Sequence, residues 1–161
     1  METVLILDFG AQYSQLIARR VREQNVYCEV KPCSISPAEI EKIAPIGIIL
    51  SGGPQSVYES VSPHVDPALF ALGIPVLGIC YGCQLMAYSL GGTVAAATEA
   101  TAREYGKTLT EFDTDCSIFQ GLPASSVTWM SHGDYISQVP DGFAVTAKTA
   151  VCPTAAMACP E

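Results

Sequence analysis

Positive charge is scarce in this sequence, which has eight Lys and Arg residues against sixteen Asp and Glu and a formal net charge of −8. The longest basic run is only Arg19–Arg20. Proteins that hold nucleic acids bind the phosphate backbone through clustered cations. We therefore expect no nucleic-acid partner.

Long hydrophobic runs are also missing. The longest apolar stretches fall well short of the roughly 20 residues that a membrane-spanning helix needs. The N-terminus leads into a predicted strand without the charged and then apolar pattern of a secretory leader. We therefore expect no membrane partner and a cytoplasmic location.

The seven cysteines are odd in number and do not form the regular pattern of a disulfide framework. A chain of 161 residues, of which 49% are hydrophobic, can bury a core without disulfides. We expect most of the cysteines to be reduced. Four of them are predicted to be small packed hydrophobes: Cys28, Cys116, Cys152 and Cys159.

Residues 4–92 alternate between apolar runs and segments with helical spacing. With only 15% charged residues, this alternation predicts an α/β fold whose mainly parallel, doubly wound sheet has helices on both faces. Ser36 and Glu39 have the spacing of a capping box at the start of one helix. The predicted strands are Val4–Leu7, Val26–Val30, Ile46–Leu50 and Val76–Ile79.

The C-terminal half has a different pattern of predicted secondary structure, because short strands follow one another there without a long helix between them. These strands are predicted at Lys107–Phe112, Val127–Met130 and Phe143–Lys148, as antiparallel additions to one edge of the sheet. We expect one core and one domain over residues 1–161. Since Thr154–Ala158 has strand character and no closing element follows, we expect the chain to be a piece of a longer one.

A cysteine lies between two glycines where a strand is predicted to become a helix, in Gly78–Gly82 (GICYG). This is the pattern of a nucleophile elbow, a sharp turn that strains the nucleophile's backbone and needs small neighbours. A helix N-terminus also favours thiolate over thiol. Cys80 is therefore predicted to be a nucleophile.

Three other roles for this cysteine remain open. Cys80 could be a buried structural residue, or it could form a redox pair with Cys83, since the two have C-x-x-C spacing. Cys28 and Cys33 could complete four thiolates for zinc. The four-residue gap of that second pair, on a different strand and loop, argues against zinc, and no metal site is predicted.

Groups that could assist a nucleophile are few. Ser51–Pro54 (SGGP) follows the third strand, beside the fourth in a doubly wound sheet, and could aim backbone N–H groups at an oxyanion or be an ordinary turn. Of the two histidines, His64 is predicted to lie in a surface loop. His132 follows a strand and could reach a site or have a structural hydrogen-bonding role.

Several segments together resemble a known family along essentially the whole chain. The sequence resembles the N-terminal glutamine amidotransferase domain of GMP synthases, in the Cys-His-Glu class of amidotransferases. The elbow and the glycine turn are typical of the class, and the first matching segment and Tyr81 are typical of the GMP synthase branch. The matching segments, in the family's order, are Ile6–Tyr13, Leu16–Glu23, Leu50–Tyr58, Gly78–Gln84 and Ser131–Asp134.

The resemblance implies that glutamine is hydrolysed to glutamate and ammonia. The ammonia would pass to a synthetase (ATP pyrophosphatase) domain, which aminates xanthosine monophosphate at the expense of ATP. No sequence here resembles the phosphate loop of that domain. The resemblance thus implies no cofactor in this chain, with ATP and Mg²⁺ bound only by the synthetase.

The resemblance also implies roles for individual residues. Cys80 would attack the side-chain amide of glutamine and form a glutamyl thioester. The backbone N–H groups of Gly53 and Tyr81 would form the oxyanion hole. Three residues would contact the substrate: Gln84, Gly133 and Asp134.

The sequence departs from the family at two points. The family's general base and its partner lie in a His-Pro-Glu motif, which is absent here; Cys159–Glu161 is only superficially similar, and His132 does not align with the base. Cys83 replaces the methionine that is usual in this branch. We expect this chain alone to be nearly inactive. The alternatives are a non-catalytic glutamine-binding or regulatory module of the same fold, and a thiol redox protein that uses Cys80 and Cys83.

Overall fold

The computed structural model describes residues 2–97 and 103–159. Backbone contacts divide the chain into two compact units, Met1–Met86 and Ala87–Glu161. The sequence predicted one core, whereas the contacts group around two centres. A single domain over residues 1–161 stays a prediction.

The first unit contains a parallel sheet with the strand order β2-β1-β3-β4. All four strands were predicted, with ends that differ by at most two residues, and the α/β class is confirmed. No helix in the described ranges has the length and apolar character that crossing a membrane requires. The elements are β1 (Thr3–Asp8), α1 (Ser14–Glu23), β2 (Tyr27–Pro32), α2 (Pro37–Ile43), β3 (Gly47–Leu50), β4 (Val76–Gly78) and α3 (Tyr81–Ser89).

The centre of this sheet is covered on both faces. Leu5, Ile6 and Leu7 are consecutive in β1 and all fully buried, although successive side chains of a strand point to opposite faces. Ile6 packs with Ala18 of α1 and Cys28 of β2. The prediction that Cys28 is a packed small hydrophobe is therefore confirmed.

Helix α2 begins with the predicted capping box. The Glu39 N–H donates to the Ser36 hydroxyl at 3.3 Å, and the Ser36 N–H donates to the Glu39 carboxylate at 3.1 Å. Pro37 occupies the first helical position, where its missing N–H has no intrahelical partner to lose. The Ser36 hydroxyl also donates to the Glu39 carboxylate at 2.7 Å, and this bond together with that from the Ser36 N–H lowers the pKa of the Glu39 carboxyl by stabilising its charged form.

The second unit consists of antiparallel strands in two small sheets, ordered β10-β9-β6-β7 and β5-β8. The antiparallel C-terminal half is thus confirmed. The prediction that these strands extend one edge of the parallel sheet is wrong for the described residues, because β6 already has an antiparallel partner on each side. The strands are β5 (Thr93–Ala96), β6 (Glu104–Phe112), β7 (Ser125–His132), β8 (Asp134–Gln138), β9 (Ala144–Thr149) and β10 (Ala156–Ala158).

Candidate functional site

The carboxyl ends of β1 and β3 are tied together by Ser51, and the Leu50 carbonyl joins the end of β4 to them. This residue is fully buried, its hydroxyl accepts from the Phe9 N–H at 3.1 Å, and its own N–H donates to the Leu7 carbonyl at 3.1 Å. The Ile79 N–H donates to the Leu50 carbonyl at 2.9 Å. The chain runs outward in opposite directions from β1 and β3, so this edge is the switch point where doubly wound sheets bind ligands.

Cys80 occupies the turn between β4 and α3. Its φ is +54°, one of three positive values at non-glycine residues among those described. This left-handed conformation strains a residue with a side chain and is found disproportionately at functional sites. The strand, sharp turn and helix predicted from the sequence are all present, so the geometry of a nucleophile elbow is confirmed.

Only glycine fits on either side of this turn. A Cβ at Gly78 would lie 2.6 Å from the Cys83 nitrogen and from the Gly82 carbonyl group. A Cβ at Gly82 would lie 2.7 Å from the Leu50 carbonyl carbon and closer still to its oxygen. The two glycines therefore allow α3 to begin directly against the end of β3.

The glycine turn after β3 lies beside Cys80 and Tyr81. A Cβ at Gly52 would lie 3.6 Å from the Cys80 Cβ, and one at Gly53 would lie 3.2 Å from the Tyr81 Cγ. Tyr81 is buried, with its ring centroid 5.5 Å from that of Phe9. The structure thus brings the predicted nucleophile and both predicted oxyanion residues together.

The Cys80 thiol is less acidic than the sequence predicted. Partial enclosure of the sulfur raises its pKa, although the Tyr81 N–H donates to it and opposes that rise. Other N–H groups of the helix start are committed: Gly82 donates to the carbonyls of Ser51 and Ile79, and Gln84 donates to that of Cys80. The expected preference for thiolate is therefore not supported, because enclosure of the sulfur raises its pKa more than the Tyr81 N–H lowers it.

The segment after the glycine turn is held by side-chain bonds to its carbonyl groups. The Tyr81 hydroxyl donates to the Pro63 carbonyl at 2.6 Å. The ring nitrogens of His64 lie 2.7 Å from the Ser62 carbonyl oxygen and 3.1 Å from that of Val57. His64 is an exposed loop residue, as predicted, and its ring is engaged within the loop.

Gln84 follows Cys80 by one helical turn and is half-buried. Its backbone N–H donates to the Cys80 carbonyl at 3.1 Å, so the two residues are fixed relative to each other. The other two predicted substrate residues belong to the second unit. Gly133 and Asp134 lie at the junction of β7 and β8, where the Gly133 carbonyl accepts from the Ala97 N–H at 2.8 Å.

His132 has the structural hydrogen-bonding role that the sequence allowed. Its Nδ1 lies 3.0 Å from the Asp134 carbonyl oxygen, and its Nε2 lies 3.0 Å from a carboxylate oxygen of Glu104. Glu104 and His132 are direct partners in the register of β6 and β7. These bonds fix the backbone that joins β7 to β8.

A cluster that the sequence did not predict surrounds this pair. One potential ligand atom from each of Glu104, His132 and Cys152 lies within 4.8 Å of the other two. Cys152 is buried, as predicted, but it faces a carboxylate; burial and the Glu104 charge both raise its pKa. The spacing of these residues along the sequence did not indicate a cluster, because they are far apart in the chain and only the pairing of the strands brings them together. Within the described ranges, the four-cysteine zinc alternative forms no such cluster.

An open apolar groove lies next to the elbow within the first unit. It has a volume of about 420 Å³ and is lined mainly by α1 and by the ends of β3 and β4. Leu16 is 49% exposed and Ile79, which precedes Cys80, is 38% exposed. The lining of the groove contains none of the predicted site residues.

Comparison with known proteins identifies the family of the chain. The sequence matches the family glutamine amidotransferase class-I over residues 5–160. It is 54% identical over 160 residues to "GMP synthase [glutamine-hydrolyzing]" of Clostridium botulinum strain Alaska E43, covering 99% of this chain and 31% of that protein. The same-named protein of Caldanaerobacter subterraneus is 56% identical over 157 residues, covering 98% and 30%. The chain therefore spans about a third of these curated relatives.

Solved structures share the fold. A Thermoplasma acidophilum protein, provisionally described as part of a GMP synthase, superposes with a TM-score of 0.86 at 29% identity, covering 99% of this chain and 79% of that one. A glutamine amidotransferase of Thermotoga maritima superposes with a TM-score of 0.76 at 21% identity, covering 98% and 71%. At that lower identity the likeness concerns the fold alone.

Proposed function

This chain belongs to the glutamine amidotransferase class-I family, and we propose that it provides the glutamine-hydrolysing site of a GMP synthase. The observation that supports this most directly is the strained elbow at Cys80, with Gly53 and Tyr81 beside it. The identity of 54% to a glutamine-hydrolysing GMP synthase supports the branch of the family.

In the proposed reaction the Cys80 sulfur attacks the side-chain amide carbon of glutamine. A C–S bond forms, and negative charge develops on the amide oxygen. The N–H groups of Gly53 and Tyr81 stabilise that charge, since preformed backbone donors need no reorganisation. The C–N bond then breaks, ammonia leaves, and water hydrolyses the glutamyl thioester to glutamate. Gln84, Gly133 and Asp134 hold the substrate in this proposal.

A general base is needed, because the raised pKa of Cys80 keeps it protonated at neutral pH. The base would take the thiol proton and deliver it to the departing ammonia. Both histidines of the chain are engaged elsewhere, His64 by loop carbonyls and His132 by Glu104. We therefore place the base and its carboxylate partner outside residues 1–161. Without them, this chain alone is expected to hydrolyse glutamine several orders of magnitude more slowly than a chain that contains them.

The partner of the site would be a synthetase domain. In this proposal it receives the ammonia, binds ATP with Mg²⁺ and aminates xanthosine monophosphate. The name of the curated relatives and their greater length support such a partner. No residue of this chain is assigned to a cofactor.

The proposal is tested by labelling the chain with a glutamine-like diazoketone at about pH 8.5, where more thiolate is present. Peptide mapping by mass spectrometry is expected to find the label on Cys80, with excess glutamine preventing it. Cys83→Ser is the matched control and should be labelled as the unchanged chain is, whereas Cys80→Ser should not be labelled.

Label spread over several cysteines, or label on Cys80 that glutamine does not reduce, would contradict the proposed site. A mass loss of about two hydrogens on mild oxidation, abolished by either serine variant, would instead favour the redox pair.

A further inference from the structure

Three side chains that commonly bind metals converge in the second unit. Glu104 begins β6, His132 ends β7, and Cys152 follows β9 by a short turn. All three are buried or nearly so: the side chains of His132 and Glu104 are 14% and 5% exposed, and Cys152 is 3% exposed. This cluster has no part in the proposed hydrolysis, and a role for it does not depend on that reaction.

From this convergence we propose that Glu104, His132 and Cys152 bind a transition-metal dication of the Zn²⁺ type. Imidazole, thiolate and carboxylate are the ligands that zinc takes in proteins. A thiolate in the set argues against Mg²⁺ and Ca²⁺, which prefer oxygen ligands only. Three protein ligands leave a fourth position for water, as in open zinc sites.

The orientation of His132 is that of a metal ligand. Its Nδ1 lies 3.0 Å from the Asp134 carbonyl oxygen, which can only accept, so Nδ1 bears a proton. The lone pair of neutral His132 is then on Nε2, the atom that lies 3.0 Å from the Glu104 carboxylate. A metal-bound histidine usually donates its other ring N–H to a carbonyl or carboxylate in this way.

Glu104 is oriented by a second contact. Its Oε1 accepts from the Thr149 hydroxyl at 2.5 Å, and the same hydroxyl accepts from the Cys152 N–H at 2.9 Å. Thr149 thus links two of the three candidate ligands. Because an isolated buried carboxylate is costly, and His132 is its one ion-pair partner in the described ranges, a dication would compensate the charge more fully.

The distances fit a zinc ion after a small adjustment. Two ligand atoms bound tetrahedrally at ordinary zinc distances are about 3.3 Å apart for N and O and about 3.6 Å apart for N and S. The observed separation of His132 Nε2 and Glu104 Oε2 is 3.0 Å. Since all three ligand atoms lie within 4.8 Å of one another, a side-chain movement of about 1 Å completes the set.

Metal binding has a defined proton balance. The Cys152 thiol donates to the Thr154 carbonyl at 3.4 Å, so it bears a proton that the metal replaces. Binding one Zn²⁺ therefore forms an S–Zn bond in place of the S–H bond, together with an N–Zn and an O–Zn bond, and releases the thiol proton to the buffer.

The test uses the full chain, freed of metal with a chelator and kept reduced. Zinc content after equilibrium dialysis is expected to reach one ion per chain. Calorimetric titration in buffers of different ionisation enthalpy should report at least about one proton released per ion, because the metal replaces the proton of the Cys152 S–H. Co²⁺ in place of Zn²⁺ should give the absorption spectrum of a tetrahedral site with one thiolate.

Matched variants locate the site. Cys152→Ser and Glu104→Gln should each weaken Zn²⁺ binding at least tenfold, and Cys152→Ser should also remove the cobalt–thiolate band. Thr149→Val, which removes only the orienting hydroxyl, should weaken binding about 10–100-fold with the band retained. Cys83→Ser and Cys116→Ser serve as controls and should bind as the unchanged chain does.

Less than half an ion per chain in the unchanged protein overturns the proposal and leaves a simple Glu104–His132 ion pair. Loss of binding in the control variants, with Cys152→Ser unaffected, overturns it equally and assigns the metal to other thiols. Circular dichroism of each variant separates loss of binding from loss of the fold. If Cys152→Ser unfolds, the cobalt spectrum of the unchanged chain and the Thr149→Val titration still decide.

Discussion

The backbone of Gly82 lies directly against the backbone of Leu50, where α3 begins at the end of β3. A Cβ at position 82 would be 2.6 Å from the Leu50 Cβ and 2.7 Å from its carbonyl carbon, distances that real side chains do not show. The Gly82 N–H also donates to the next carbonyl, that of Ser51, at 3.1 Å. This contact sets how close the helix start, and with it Cys80, can come to the sheet.

Gly82→Ala should therefore destabilise the chain by about 3 kcal/mol, the upper end of the cost of overpacking a tight site. Gly52→Ala is the matched control, because its methyl group would make an ordinary contact of 3.6 Å with the Cys80 Cβ. The free energy of unfolding, from urea titration followed by circular dichroism, measures both. Equal losses in the two variants would show that the Leu50 contact is not what limits this turn.

The raised pKa of Cys80 predicts slow alkylation at neutral pH. A raised pKa leaves less thiolate below it, so iodoacetamide should label Cys80 more slowly than a free cysteine at about pH 7. The rate should rise roughly tenfold per pH unit and continue to rise beyond the pH at which the free thiol levels off. Peptide mapping from about pH 7 to pH 10 gives the profile. A plateau reached below about pH 8 would show the activated thiolate that the sequence suggested.

Removing the Tyr81 hydroxyl should loosen the segment after the glycine turn. Tyr81→Phe loses the 2.6 Å bond to the Pro63 carbonyl, and the chain should lose about 1 kcal/mol of stability. Tyr13→Phe is the control, since that ring is 63% exposed. Hydrogen exchange should show lower protection in residues 54–66 only in Tyr81→Phe. Unchanged exchange there would mean that His64 and Ser62 suffice to hold the segment.

Ser36→Ala should cost about 1 kcal/mol at neutral pH, because it removes the acceptor for the Glu39 N–H at the start of α2. Ser34→Ala, at a serine two residues earlier and outside the cap, is the control. Urea unfolding compares the two. A loss in the control as large as that in Ser36→Ala would contradict a capping effect.

The same cap predicts that the stability of the chain depends on pH in the acid range. Since the pKa of Glu39 is lowered from its ordinary value of 4.5, the stabilisation by its carboxylate is complete above that value. It is lost as the pH falls through the lowered pKa. Glu39→Gln should flatten this part of the stability profile, measured by urea unfolding at a series of acid pH values. A profile as steep as that of the unchanged chain would assign the acid sensitivity to other carboxyls.

The first unit was predictable because its signals are local. A buried parallel strand is a short apolar run, and the elbow requires glycines at fixed offsets from Cys80, so both can be recognised within a few residues. The register of β6 with β7 is not local. It joins Glu104 to His132 across 28 positions, and neither strand has a pattern that specifies its partner.

The direction in which the pKa of Cys80 is shifted could not be read from the sequence for a related reason. A helix N-terminus favours a thiolate only if its N–H groups are free to face the sulfur. In this turn Gly82 donates to carbonyls of the strand ends, and those bonds depend on the packing of α3 against β3. The sequence indicates the helix start but not which acceptors its donors meet.

The left-handed backbone of Cys80 lowers the stability of the fold at the position where a reactive side chain is proposed. A φ of +54° at a residue with a Cβ costs conformational free energy that glycine would not incur. Glycine at position 80 should therefore give a chain at least as resistant to unfolding and without a nucleophile. In the proposed reaction the strained backbone at position 80 is therefore a cost in stability that accompanies the nucleophile.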